Sequence, residues 1–154
     1  MIVKDLMSTN VVSIDSEATV KDAASKMAQQ EIGSLVVMEQ NKPVGIVTER
    51  DLLSRVLAMG RNAEATQVKM VMSKPLICGR PDMDVTEATR FMVAKGIKKL
   101  PITQEGGLIG ILTLTDLCAA QPDIYELIEK ETKGRLPKRF MKRLAKRYLS
   151  LIHI

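Results

Sequence analysis

The feature that most constrains this chain is that it repeats itself without a gap. Shifted by 65 positions, V-K-D-L-M-S at residues 3–8 falls on V-K-M-V-M-S at residues 68–73, and the match runs unbroken to Leu52 on Leu117. Identical residues recur at Val20/Val85, Ala23/Ala88, Met27/Met92, Ile32/Ile97, Gly45/Gly110, Ile46/Ile111, Thr48/Thr113, Asp51/Asp116 and Leu52/Leu117. The chain is therefore a tandem duplication, and each half is one supersecondary unit. A unit of about 50 residues buries too little surface to stand alone, so the two sheets are expected to pack together.

Each copy reads as β-α-β-β-α. In the first, residues 11–14 form a β-branched run and hence a strand. Thr19 then opens a helix whose apolar stripe is Val20, Ala23, Ala24 and Met27. The second copy opens the same helix with Asp84-Val85-Thr86-Glu87, a capping box. Two apolar strands follow in each, at 34–38 and 44–48 and again at 99–103 and 108–113, joined by turns rich in Asn, Gly and Pro. Closing helices are expected over 49–59 and 114–120. The organisation is thus repeat 1 at 1–60, a polar linker at 61–67, repeat 2 at 68–120 and a tail at 121–154. The fold class is α/β (α+β).

The most distinctive stretch is G-I-V-T-E-R-D-L (45–52) and its copy G-I-L-T-L-T-D-L (110–117). Each is a buried strand running into a helix first turn. Such a junction can present backbone N–H groups and the positive end of a helix dipole to a ligand. Thr-x-x-Asp is also the pattern of a plain capping box, and a single copy favours that reading.

Composition removes most chemistry. The only histidine is His153, which leaves no Ser-His-Asp triad, His-based zinc site or Cys-His nucleophile. Cys78 and Cys118 form no C-x-x-C and read as buried small apolar residues. Neither G-x-x-x-x-G-K-[ST] nor G-x-G-x-x-G occurs. No apolar run reaches bilayer-spanning length, and the N-terminal stretch has no signal-peptide pattern, so a cytoplasmic location is expected.

The repeat resembles a pair of cystathionine-β-synthase (CBS) domains. The resemblance covers residues 1–120 and rests on G-h-h-T-x-x-D-h in both copies (h apolar), the repeated V-K head, and G-I-K-K-L-P-I at 96–102. It implies a regulatory sensor that binds adenosine nucleotides (AMP, ADP or ATP, with S-adenosylmethionine or NAD behind them) in the cleft between the repeats. It also implies a homodimer that signals to a protein partner, and no enzymatic activity. Carried over by position, one site would use Thr48 and Asp51 with Met72, Ile77, Ile97, Lys98 and Lys99. The other would use Thr113, Thr115 and Asp116 with Met7, Val12, Ile32, Gly33 and Ser34, with Arg50 as a possible added cation. A carboxylate accepting from both ribose hydroxyls gains about 1.5–3 kcal/mol per charge-assisted bond. Lys98 and Lys99 stand where the second site has Gly33 and Ser34, so the Asp51 site is expected to prefer the more phosphorylated ligand.

The family pattern ends near Ala120, and the charge changes there. Residues 1–120 hold 14 Lys/Arg and 14 Asp/Glu, whereas 121–154 hold 9 and 4, which is the whole net charge of +5. Pro122 suits a helix first turn, with Ile124, Leu127 and Ile128 on its apolar face. A second tail helix is expected from Lys138, apolar through Phe140, Met141, Leu144, Tyr148, Leu151 and Ile152. The eight Lys/Arg between Lys133 and Arg147 fit docking on the protein's own dimer, a nucleic-acid backbone or an anionic membrane surface. A nucleic-acid-binding protein that uses the CBS pair as scaffold or sensor is the alternative function.

Overall fold

In the computed structural model, which describes residues 1–132 and Lys142, the elements follow the order implied by the repeat. The chain divides into two compact units. The Asp51 unit comprises Asn10–Ile77 with Glu105–Leu108, and the Asp116 unit comprises Met1–Thr9, Cys78–Gln104 and residues 109–132. The basic segment expected from Lys138 lies outside the described residues apart from Lys142.

The Asp51 unit holds β1 (Ser13–Asp15), α1 (Val20–Gln30), β2 (Ser34–Glu39), β3 (Lys42–Thr48) and α2 (Glu49–Leu52). β1 pairs parallel with β2, and β2 pairs antiparallel with β3. The sheet is apolar because Leu35, Val36, Val37 and Val47 are each at most 1% exposed. Thr19 caps α1 by accepting from the Asp22 amide at 3.1 Å, which the Thr19 opening anticipates. Residues 61–67 are not a free linker. The carbonyls of Thr66 and Ala63 accept from the Val20 and Lys21 amides at 2.9 and 3.1 Å, which satisfies donors at the start of α1.

The helix expected over 49–59 is α-helical only to Leu52; Leu53–Leu57 is a π-turn. The Ser54 hydroxyl donates to the Arg50 carbonyl at 2.7 Å, competing with the backbone for that acceptor. The Ala58 amide reaches back to the Leu53 carbonyl at 2.9 Å, five residues away.

The Asp116 unit holds α3 (Val85–Lys95), β4 (Lys99–Gln104), β5 (Gly107–Thr113) from Ile109 onward, α4 (Leu114–Ala120) and α5 (Asp123–Thr132). Asp84 caps α3 by accepting from the Thr86 amide at 2.8 Å. That bond holds its carboxyl below the usual carboxylate value, so its contribution is present at neutral pH and lost as acid protonates it. The strand expected at the start of this copy shrinks to a single parallel bridge between Gly79 and Ile102. Pro75 and Pro81 flank it, and neither can donate to a ladder. α5 packs on α3 and α4, burying Ile124 and Ile128.

The heads of the two repeats are exchanged. Val3–Asp5, a 3-10 turn, binds through Val3 and Lys4 amides to the carbonyls of Met83 and Pro81 at 2.8 and 2.9 Å. Ser8 and Ile111 exchange both backbone bonds at 2.9 Å. In the other unit the duplicate residues repeat the arrangement: Val68 and Lys69 bind Ala18 and Ser16, and Ser73 pairs with Ile46. Each repeat's head thus completes the body of the other repeat.

The two thiols differ sharply. Only Cys118 meets the expectation of burial: Cys78 is exposed, whereas Cys118 is fully buried and its thiol is pushed up to about 11 by burial. A native chain should therefore release one equivalent of thiol rapidly to a disulfide reagent at pH 8 and the second only on denaturation. Two equally fast thiols would contradict the burial of Cys118.

Candidate functional site

The duplicated stretches end β3 and β5, and each terminal threonine becomes the N-cap of the next helix. In the Asp51 unit the cap is reciprocal. Thr48 Oγ1 accepts from the Asp51 amide at 3.2 Å, and Asp51 Oδ2 accepts from the Thr48 amide at 3.0 Å. In the Asp116 unit only half of it forms. The Asp116 amide donates to Thr113 Oγ1 at 3.0 Å, but the Asp116 carboxylate accepts no hydrogen bond among the described residues. Asp51 is buried at 8% exposure and Asp116 is half-buried. Identical motifs therefore present two different carboxylates.

The remaining oxygen of Asp51 has a partner that the repeat did not reveal. Arg55 Nε stands 3.9 Å from Asp51 Oδ1, while its Nη1 donates to the carbonyls of Val71 and Met72 at 2.8 and 3.3 Å. One guanidinium thus ties the carboxylate to the exchanged head. The duplicate position, 65 residues on, is Ala120. Glu49 is the second unforeseen residue. Its carboxylate lies against Gly33, where a Cβ would stand 2.6 Å from Oε1. Its duplicate is Leu114, and Gly33's is Lys98. The Asp51–Arg55 spacing of four on a helix is a readable ion-pair signal.

A methionine borders each strand that leads to a Thr-x-x-Asp junction. A Cβ on Gly45 would meet Met72 Sδ at 2.8 Å, and one on Gly110 would meet Met7 Sδ at 2.6 Å. Of the first expected set, Thr48, Asp51, Met72 and Ile77 belong to the Asp51 unit, and Ile97, Lys98 and Lys99 to the Asp116 unit. Of the second, Thr113, Thr115, Asp116 and Met7 belong to the Asp116 unit, and Val12, Ile32, Gly33 and Ser34 to the Asp51 unit. Within its own unit each hairpin start adjoins its own Thr-x-x-Asp junction. Ser34 pairs with Thr48, the Glu49 amide donates to Gly33 O at 3.0 Å, and the Leu114 amide donates to Lys98 O at 3.0 Å. Arg50 and Lys98 are exposed.

Among the described residues no group of three or more His, Cys, Asp or Glu is placed to hold a metal ion. Nor is any helix among them long and apolar enough to cross a membrane.

Two duplicated bodies with exchanged heads, each carrying a Thr-x-x-Asp junction, match the CBS domain model at residues 3–58 and 68–123, and the chain belongs to that family. A protein of Methanopyrus kandleri is 40% identical over 126 residues, which cover 80% of this chain and 64% of that protein. A CBS domain-containing protein of Bacillus subtilis, YhcV, is 39% identical over 77% of this chain and 84% of its own. The chain therefore spans less than two thirds of the first relative's length. Among solved structures, a CBS domain protein from Pyrobaculum aerophilum complexed with AMP superposes with a TM-score of 0.73 at 24% identity, covering 82% of this chain and 98% of that one. The CBS domain pair of protein MJ0100, in complex with 5′-methylthioadenosine and S-adenosyl-L-methionine, gives 0.71 at 22% identity, covering 80% and 97%. These two likenesses are likenesses of fold.

Proposed function

We propose that the chain is a regulatory module that binds adenosine nucleotides of the AMP/ADP/ATP class at its two Thr-x-x-Asp clamps and passes their occupancy to a partner. The observation that carries this reading is the duplication of one constellation: an exchanged head methionine, a strand ending in Thr, and a carboxylate on the following turn. A capping box alone needs no methionine beside the strand and no second copy. AMP, 5′-methylthioadenosine and S-adenosylmethionine, found on proteins of the same fold, share adenosine and differ only at the 5′ end. An adenosine-centred clamp is the common denominator. The ribose diol would donate to the carboxylate, and bonds of that charged kind are worth about 1.5–3 kcal/mol each. We assign no reaction to the chain, because the clamps hold no nucleophile paired with a base.

Lys98 and Lys99 are the residues we assign to the ligand's phosphates. The test is thermal denaturation with AMP, ADP, ATP, NAD and S-adenosylmethionine. A ligand at 100 times its Kd should stabilise the native state by about 2.7 kcal/mol. Asp51→Ala and Asp116→Ala should each remove part of the shift, and Lys98→Ala with Lys99→Ala should cut the ATP shift more than the AMP shift. No shift with any of the five compounds would refute the reading.

A further inference from the structure

We infer that Arg55 is a specificity-determining residue, which lets the Asp51 clamp accept a phosphorylated nucleoside while the Asp116 clamp prefers one with a neutral or cationic 5′ substituent. The inference rests on the adenosine-binding reading and concerns only how the two clamps differ. Their backbone, threonine and carboxylate are duplicated; their charge is not. Asp51 has a guanidinium 3.9 Å from Oδ1, so the pair is electrically neutral. Asp116 has Ala120 at the duplicate position, and its carboxylate has no cation in an ion pair among the described residues. A phosphate brought to a bare carboxylate meets a like charge in a partly desolvated place, where repulsion is screened far less than in bulk water. The same phosphate brought to the compensated Asp51–Arg55 pair is repelled less by that carboxylate, and the one other like charge on this turn is Glu49, turned against Gly33.

Arg55 is also held where it is. Its Nη1 bonds to the carbonyls of Val71 and Met72 keep the guanidinium between carboxylate and head, so it is not a free surface arginine. The π-turn at Leu53–Leu57 belongs to the same construction, because Arg55 sits at its centre. π-Turns of this kind recur at functional sites. An ion pair at this distance, with its arginine half-exposed, adds little to stability. Its consequence is the local charge, which a bound anion would sense.

The experiment is isothermal titration of the full chain with adenosine and with AMP, read as the ratio of their affinities. Asp116→Asn isolates the Asp51 clamp. In that background Arg55→Gln, which keeps a polar amide donor but removes the charge, should lower the AMP-to-adenosine ratio about ten-fold, and Arg55→Lys should restore most of it. In the Asp51→Asn background, Ala120→Arg should raise the ratio at the Asp116 clamp by a similar factor. The effect should shrink as salt rises. If Arg55→Gln weakens adenosine and AMP alike, or leaves both unchanged, Arg55 is only structural and the inference fails. If the unmodified chain binds neither compound, the adenosine reading itself is refuted.

Discussion

Gly45→Val is expected to destabilise the chain by about 2–3 kcal/mol and to lower its melting temperature by roughly 4–12 °C. Gly45 does not need a positive φ; it needs an empty Cβ position. A Cβ there would stand 2.7 Å from the Ser73 carbonyl and 2.8 Å from Met72 Sδ. The methionine can swing aside, but the carbonyl is fixed by the paired bonds between Ser73 and Ile46 at 2.8 and 3.1 Å. The only relief is to lift the exchanged head off β3, which also removes Arg55's acceptors on Val71 and Met72. Gly110→Val should cost less, because its closest neighbour is the flexible end of Met7 at 2.6 Å and the Ser8 carbonyl is farther, at 3.0 Å. Urea denaturation of both variants provides the comparison. A Gly45→Val midpoint equal to that of the unmodified chain would show that the head yields without cost.

Much of this fold is legible because the duplication makes every local signal appear twice. Thr19 and Asp84 cap duplicate helices, and Leu35 and Leu100 are both buried on duplicate strands. Periodicity and cap chemistry are properties of neighbouring residues, so a reading along the chain captures them. The head exchange is not of that kind. V-K-x-x-M-S precedes each body in sequence, but only tertiary packing decides that Val3 binds Met83 and Val68 binds Ala18. The π-turn escapes for a similar reason, since a run from Glu49 to Met59 has no helix breaker and only the Ser54 hydroxyl reveals the altered ladder. At the Thr-x-x-Asp junctions the motif is readable from the repeat, whereas the Asp51–Arg55 pair is signalled only by its i, i+4 spacing. Arg55 breaks the repeat's symmetry because its duplicate is Ala120, and a comparison built on identities passes over it.

Leu117→Ala is expected to cost about 2–5 kcal/mol, whereas Leu52→Ala at the duplicate position should cost roughly 1 kcal/mol. The sequence gives no reason for a difference, since the two leucines occupy the same place in G-h-h-T-x-x-D-L. Their surroundings do. Leu117 is fully buried in a unit where α5 packs on α3 and α4 with Ile124 and Ile128 inside. Thr89 on α3 is likewise fully buried, and its hydroxyl donates to the Val85 carbonyl at 2.7 Å. The Asp51 unit has an open apolar groove of about 570 Å³ between α1 and α2, and Leu52 lines it half-buried beside Leu53 and Leu57. Leu57 is 73% exposed. Removing three methyl-sized groups from a closed interior leaves a cavity, whereas removing them from a groove wall lets water fill the space. Urea midpoints at constant slope measure both losses. Equal losses at the two positions would contradict the difference in burial, and with it the conclusion that α5 makes the second body a closed core while the first is left open.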